Sequence, residues 1–343
     1  MAIKVLVVDD SAFIRQLIIS VLQRDPNIQV VDYARDGLDA LAKIERLQPD
    51  VVTLDIEMPK MDGMDTLKEI MTRFPRPVLM LSSLTTAGAQ QTLQALEMGA
   101  VDFIPKPLAA EGYDSFSRDL IRKVKTAKRA VLKTDTAKRL SSGFNQPIMT
   151  RNPVHIIGIG SSTGGPSALQ TVLTAIPTHI PVGIVIAQHM PEGFTKPFAA
   201  RLDNLCQIRV KEAADGDIIE PGAAYIAPAG RQMQFKRQKA GVSICIGDDS
   251  PIPTLYKPSV DVMFLSMAEV FGGCCLAVIL TGMGNDGTRG AKKLKELDAV
   301  ILSQDQESCV IYGMPKSVAE AGIVDRVVNI KDMGNVISRT ALM

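Results

Sequence analysis

The sequence predicts two α/β domains in tandem, each built on a doubly wound, mostly parallel sheet, with an antiparallel hairpin added to the second. Three observations carry this. The chain has 343 residues, more than one core usually organises at about 100 to 200 residues per domain. Its first part repeats a unit of one short β-branched run and one segment with apolar residues at helical spacing. After a basic, polar stretch the buried-strand runs resume.

In the first part, strand-like runs fall at Ile3 to Asp9, Ile28 to Ala34, Val51 to Asp55, Val78 to Ser82 and Val101 to Pro105. Between them Ala12 to Arg24, Gly37 to Leu47, Gly63 to Arg73 and Ala87 to Met98 carry helical periodicity. Continuous apolar strands alternating with helices are the pattern of a parallel sheet covered on both faces. A last helix is expected within Arg118 to Arg139, fading into a linker with Ser141, Gly143 and Pro147. Strands of the second domain are expected at His155 to Gly160, Val182 to Gln188, Ala224 to Ala227, Leu276 to Thr281 and Ala299 to Ser303, with a helix over Pro166 to Leu173. The run MQFKRQKAGVSICI reads as a hairpin turning near Ala240 and Gly241. The expected boundaries are residues 1–125, a linker over 126–152, and 153–343.

Composition narrows the function classes. With 46% apolar and 22% charged residues and a formal net charge of +1, the chain has the balance of a soluble globular protein and no electrostatic reason to bind nucleic acid. Five cysteines without a C-x-x-C pair argue against a disulfide framework. No apolar run approaches the roughly 18 residues of a membrane span, and the first residues lack signal-peptide character. A cytoplasmic monomer with no membrane insertion is expected.

Asp9 and Asp10 close the first strand and Asp55 the third. Ligands of doubly wound sheets bind beyond the carboxyl ends of strands, where strand order reverses, so these carboxylates are expected to converge. Converging carboxylates repel unless a hard cation neutralises them, and Mg²⁺ suits such a set. Ser82 ends the fourth strand and Lys106 follows the fifth, placing a hydroxyl and an ammonium where they can bind a phosphoryl group.

In the second domain a strand enters SSTGGPS, a turn that would expose a serine at the sheet edge. Of three histidines, only His189 directly follows an apolar strand toward that same edge. Asp286 sits in the glycine-rich turn after CCLAVIL and could orient a histidine. A rival reading takes Gly282, Gly284 and Gly287 as a dinucleotide loop with Asp305 as the distal acid. Against it, Asp286 would place a negative charge where pyrophosphate should sit.

VDDS, LDIEMPKMDG, LSS and IPKP resemble the receiver domain of bacterial response regulators, a flavodoxin-like fold, over roughly residues 1–125. The resemblance implies that Asp55 accepts phosphate from a histidine kinase, that Asp9, Asp10 and Asp55 with the backbone carbonyl of Glu57 hold Mg²⁺, that Ser82 and Lys106 read the phosphate, and that Phe103 takes the aromatic switch position. GSSTGG, AQHMPEGFT, YIAP, KPSVDVMF and ILTGMGNDG resemble the catalytic domain of the chemotaxis protein-glutamate methylesterases over roughly 153–340. That implies Ser162 as nucleophile, His189 as general base, Asp286 as its orienter, and Thr163 and Met283 as oxyanion donors. Ser161 departs from the family's usual alanine. The expected function is phosphorylation-activated hydrolysis of glutamate methyl esters on methyl-accepting chemotaxis receptors, with deamidation of receptor glutamines and no cofactor for the ester chemistry. The alternative is a catalytically inactive receiver-linked adaptor.

Overall fold

The computed structural model describes residues 1–83, 85–107, 113–131, 148 and 150–342. Most of the expected linker over 126–152, and the basic stretch beyond 131, lie outside the described residues. The chain divides into two compact units, Met1–Ala137 and Lys138–Met343.

The first unit follows the sequence pattern closely. Strands β1 (Ile3–Val8), β2 (Ile28–Ala34), β3 (Val51–Asp55), β4 (Val78–Ser82) and β5 (Asp102–Pro105) alternate with helices α1 (Ala12–Leu22), α2 (Gly37–Leu47), α3 (Gly63–Arg73), α4 (Thr86–Glu97) and α5 (Tyr113–Ala127). The sheet order is β2-β1-β3-β4-β5, every neighbouring pair parallel. Helix starts are fixed by side-chain caps: Ser11, Asp36, Asp62 and Thr85 each accept a backbone N–H from the first turn. Helix α5 begins at Tyr113, ahead of the expected stretch, because its buried apolar residues, Phe116, Leu120, Val124 and Ala127, are few and the polar residues between them hide the period. Order reverses between β1 and β3, so the crevice lies beyond Val8 and Asp55.

The second unit is a seven-stranded sheet ordered β14-β13-β12-β6-β7-β9-β8, parallel throughout. Its strands are β6 (Ile156–Ser161), β7 (Gly183–Gln188), β8 (Arg209–Glu212), β9 (Ala223–Ile226), β12 (Cys275–Ile279), β13 (Val300–Gln304) and β14 (Arg326–Val328). The hairpin forms as expected, β10 (Gln232–Gln238) with β11 (Gly241–Gly247), but as a separate two-stranded ribbon. Helices α6 (Gly165–Leu173), α7 (Thr195–Leu205), α8 (Val260–Phe271), α9 (Thr288–Glu296), α10 (Met314–Glu320) and α11 (Ile330–Ala341) complete the unit.

Helix α8 lies directly against β6. A Cβ on Gly158 would stand 2.5 Å from Met267 Sδ, and one on Gly160 would stand 2.3 Å from Val260 Cγ1. The two glycines of HIIGIG therefore serve helix–strand packing, and through it they bring the N-terminus of α8 to the carboxyl edge of the sheet. All five cysteines are free thiols. Among the described residues no helix is long and apolar enough to cross a membrane.

Candidate active site and acidic pocket

Strand order in the second unit reverses around β6, flanked by β12 and β7, which makes the edge beyond these three strands the crevice. Ser162 follows β6, His189 follows β7, and Asp286 lies in the turn after β12. Ser161 and Gln188 are register partners, and the His189 N–H donates to the Ser161 carbonyl at 3.0 Å. Gln188, fully buried, ties the two strand ends together by donating from Nε2 to the carbonyls of Ser162 at 3.0 Å and His189 at 2.8 Å. Just past the end of β12, the Thr281 carbonyl accepts the Ser162 N–H at 3.0 Å. A Cβ on Gly282 would stand 2.8 Å from Ser162 Cβ, so the acid-bearing turn packs against the serine turn.

His189 Nε2 lies 2.7 Å from Asp286 Oδ2. Nδ1 is buried and has no hydrogen-bond partner among the described residues. A histidine that donates from Nε2 to a carboxylate keeps Nδ1 as its acceptor, so Nδ1 is the nitrogen available to take a proton.

Asp286 is bound on nearly every side. Oδ1 accepts the Ser259 hydroxyl at 2.9 Å and the N–H groups of Asp261 and Gly287, each at 3.0 Å; Oδ2 accepts the Val260 N–H at 2.7 Å as well as His189. Ser259 is the N-cap of α8, so the carboxylate sits on the positive end of that helix. Burial works against its charge, but the bonds from His189, Asp261 and Val260 outweigh it and hold the carboxyl below the usual carboxylate range. Asp261, half-buried beside Asp286, is instead pushed up to about 6 by desolvation and the Asp286 charge, although the Gly290 N–H opposes the shift.

Thr163 is buried in the serine turn, where its carbonyl accepts the Thr281 hydroxyl at 3.0 Å. Met283, half-buried, follows Gly282 on the other side of Ser162. Ser161 is fully buried and donates to Gln188 Oε1 at 2.6 Å. Sequence reasoning missed Ser259, Gln188 and Gln232. Only Ser259 had a readable signal, a serine followed by an acid at the start of an apolar helical run.

In the first unit Asp9, Asp10 and Asp55 gather as expected, with carboxylate oxygens within 4.8 Å of one another. Asp9 and Asp55 are buried and Asp10 is exposed. Lys106 Nζ stands 2.8 Å from Asp55 Oδ1 and 2.9 Å from Asp9 Oδ2. The second contact is an ion pair, and among the described residues Asp9 Oδ2 has no further partner. Burial, then the Asp9 charge, pushes Asp55 up to about 6 despite Lys106. Lys106 loses by burial, but its bond to Asp55 more than restores it and its ammonium form is favoured. A site with more buried negative charge than one lysine neutralises fits a hard divalent cation. Ser82 lies at the end of β4, where its hydroxyl accepts from Thr92 Oγ1 at 2.6 Å and is within 3.3 Å of the Gly88 carbonyl, so it is engaged with α4. Glu57 is exposed just beyond Asp55. Phe103 is buried, with Lys123 Nζ 5.2 Å from its ring centroid.

Two family models match the chain: "CheB methylesterase" over residues 157–337 and "Response regulator receiver domain" over 5–113. Protein-glutamate methylesterase/protein-glutamine glutaminase of Halalkalibacterium halodurans is 47% identical over 98% of both chains, and that of Moorella thermoacetica is 42% identical over 96% of both. The crystal structure of the Thermotoga maritima CheB methylesterase catalytic domain aligns with a TM-score of 0.53 and 40% identity, covering 55% of this chain and 99% of that one.

Proposed function

The chain belongs to the CheB methylesterase family and carries a receiver domain, and from that premise we propose that Ser162, His189 and Asp286 hydrolyse glutamate γ-methyl esters of chemotaxis receptors under the control of phosphorylation at Asp55. The activity is that of its relatives, protein-glutamate methylesterase and protein-glutamine glutaminase. The observation that carries the assignment of residues is the His189 Nε2 to Asp286 Oδ2 contact of 2.7 Å at the edge where β6 presents Ser162.

Ser162 Oγ attacks the ester carbonyl carbon as its proton passes to His189 Nδ1. Asp286, anchored on α8, keeps the imidazole in the tautomer that leaves Nδ1 basic and stabilises the imidazolium that forms. The tetrahedral oxyanion is met by backbone N–H groups of Thr163 and Met283. Collapse expels methoxide, which leaves as methanol with the proton from His189. Water then attacks the γ-glutamyl acyl-enzyme with His189 as base, freeing glutamate and Ser162. With a glutamine side chain the same steps release ammonia. The adaptor alternative has no observation in its favour.

In the receiver, Asp9, Asp10, Asp55 and the Glu57 carbonyl would hold Mg²⁺, which supplies charge neutralisation for a phosphoryl group on Asp55. The Asp55 carboxylate accepts the phosphoryl group from a histidine kinase, Lys106 pairs with it, and the Ser82 hydroxyl exchanges its α4 partners for a phosphoryl oxygen. Methanol release from methylated receptor membranes, with and without acetyl phosphate, tests this reading. Release that depends on Ser162 and rises with acetyl phosphate is expected, and release that persists in Ser162→Ala contradicts it.

A further inference from the structure

Tyr256 has no part in the steps above, yet its ring lies on His189 with centroids 4.0 Å apart and planes 7° apart. It is half-buried in the segment between β11 and α8. Side chains of the hairpin fasten that segment: Gln234 Nε2 donates to the Asp249 carbonyl at 3.1 Å, and Gln232 makes the bonds nearest the ring. Gln232 of β10 is fully buried; its Nε2 donates to the Tyr256 carbonyl at 2.8 Å and its Oε1 accepts the Ser259 N–H at 2.9 Å. The Tyr256 N–H donates to Thr254 Oγ1 at 3.1 Å. Ser259, three residues on, donates to Asp286. One glutamine therefore sets both the ring on the face of the histidine and a hydroxyl on its carboxylate partner.

The geometry points to Tyr256 as a positioning residue for His189, held in place by Gln232 of the hairpin. The inference rests on the assignment of Ser162 and His189 given above. An imidazole bonded to Asp286 through Nε2 can still tilt about that bond, and among the described residues Nδ1 has no hydrogen-bond partner to stop it. A parallel ring at stacking distance closes one face to tilting and keeps Nδ1 in the plane where it must meet the serine proton. Once Nδ1 has taken that proton the ring is a cation lying on an aromatic face, an attraction absent from the neutral ground state. Both effects act on the chemical step and not on substrate affinity. They come from the aromatic face, so the phenol hydroxyl is dispensable. They also give the antiparallel ribbon, which adds no strand to the main sheet, a role in catalysis.

The test uses the full chain with Mg²⁺ and acetyl phosphate, reading methanol release from methylated receptor membranes. Tyr256→Leu and Tyr256→Met are expected to lower kcat about tenfold or more while KM stays within about twofold. Tyr256→Phe is expected to restore most of the turnover. Gln232→Met should lower kcat as well, and combined with Tyr256→Leu it should slow the enzyme by clearly less than the product of the two single effects, because the two share the ring while Gln232 also acts through Ser259. A normal kcat in Tyr256→Leu and Tyr256→Met, a change in KM alone, a Tyr256→Phe as slow as Tyr256→Leu, or multiplying effects in the double variant would each overturn the proposal. Ser162→Ala measured alongside separates the two claims. Turnover surviving there contradicts the nucleophile, whereas an inactive Ser162→Ala beside an unaffected Tyr256→Leu contradicts the positioning role alone.

Discussion

Two serines stand side by side at the end of β6, and their surroundings distinguish them. Ser161 is fully buried, with its hydroxyl given to Gln188, whereas Ser162 begins the turn that packs against Gly282. Ser162→Ala should reduce methanol release by about a thousandfold or more, while Ser161→Ala, which leaves Gln188 one donor short, should cost less than about tenfold. Asp286→Asn should fall between them, since the oxyanion donors survive a misheld imidazole. Asp55 gives a prediction with a defined pH window. Its carboxyl is pushed from 3.8 up to about 6, so the folded chain binds that proton more tightly than the unfolded chain does. The stabilising protonated state is fully present below about 3.8 and lost as pH rises through 6. In metal-free buffer Asp55→Asn should therefore raise the thermal midpoint of the receiver by several degrees above pH 6, corresponding to about 1–3 kcal/mol, with the gain vanishing toward pH 4. A pH-independent difference in midpoint, read by calorimetry, would contradict this account of the pocket.

At the level of elements, α8 connects packing to chemistry. Gly158 and Gly160 let it rest on β6, and its capped N-terminus holds Asp286 ionised. Ser259→Ala removes both the cap and one bond to Asp286, which should cost about 0.5–2 kcal/mol of stability in denaturant titration and lower kcat without abolishing it. Much of this architecture was legible in the chain. Strands β2, β3 and β4 and helices α2 and α3 fall on their expected ranges because short, mostly apolar runs bounded by turns and amphipathic segments capped by aspartates leave few alternatives. The convergence of Asp9, Asp10 and Asp55 followed from strand ends alone. What escaped has physical reasons. Strand β8, with the sequence RVKE, is a polar edge, and β14 is three residues long, too short for any period. The links from Gln188, Gln232 and Ser259 to the site join residues distant in sequence, and no local pattern encodes which strand end a buried amide will reach. The glycines of ILTGMGNDG matched a dinucleotide loop in spacing, but the carboxylate among them is bound to a helix N-terminus and a histidine.

For the whole molecule, the proposed phosphoacceptor pocket and the proposed esterase site lie on one chain, and on that reading one regulates the other. Phosphate can act only through its different affinity for two states of the receiver, and a hundredfold activation requires about 2.7 kcal/mol of such difference. Ser82 is engaged with Thr92 and Gly88, so on the proposed reading a phosphoryl oxygen would compete with α4 for that hydroxyl. If the unphosphorylated receiver restrains the esterase, a chain begun at Pro153 should exceed the basal rate of the full chain and no longer respond to acetyl phosphate. The catalytic domain of the Thermotoga maritima relative was solved as a separate chain, so this truncation is practicable. The central claim, that Ser162 at the edge of β6 cleaves glutamate methyl esters under receiver control, is tested most directly by methanol release from methylated receptor membranes by the wild-type full chain and Ser162→Ala, each with Mg²⁺ and with or without acetyl phosphate. The account predicts release by the wild type that rises on phosphorylation and is absent from the variant under both conditions; equal release by the two proteins would contradict it.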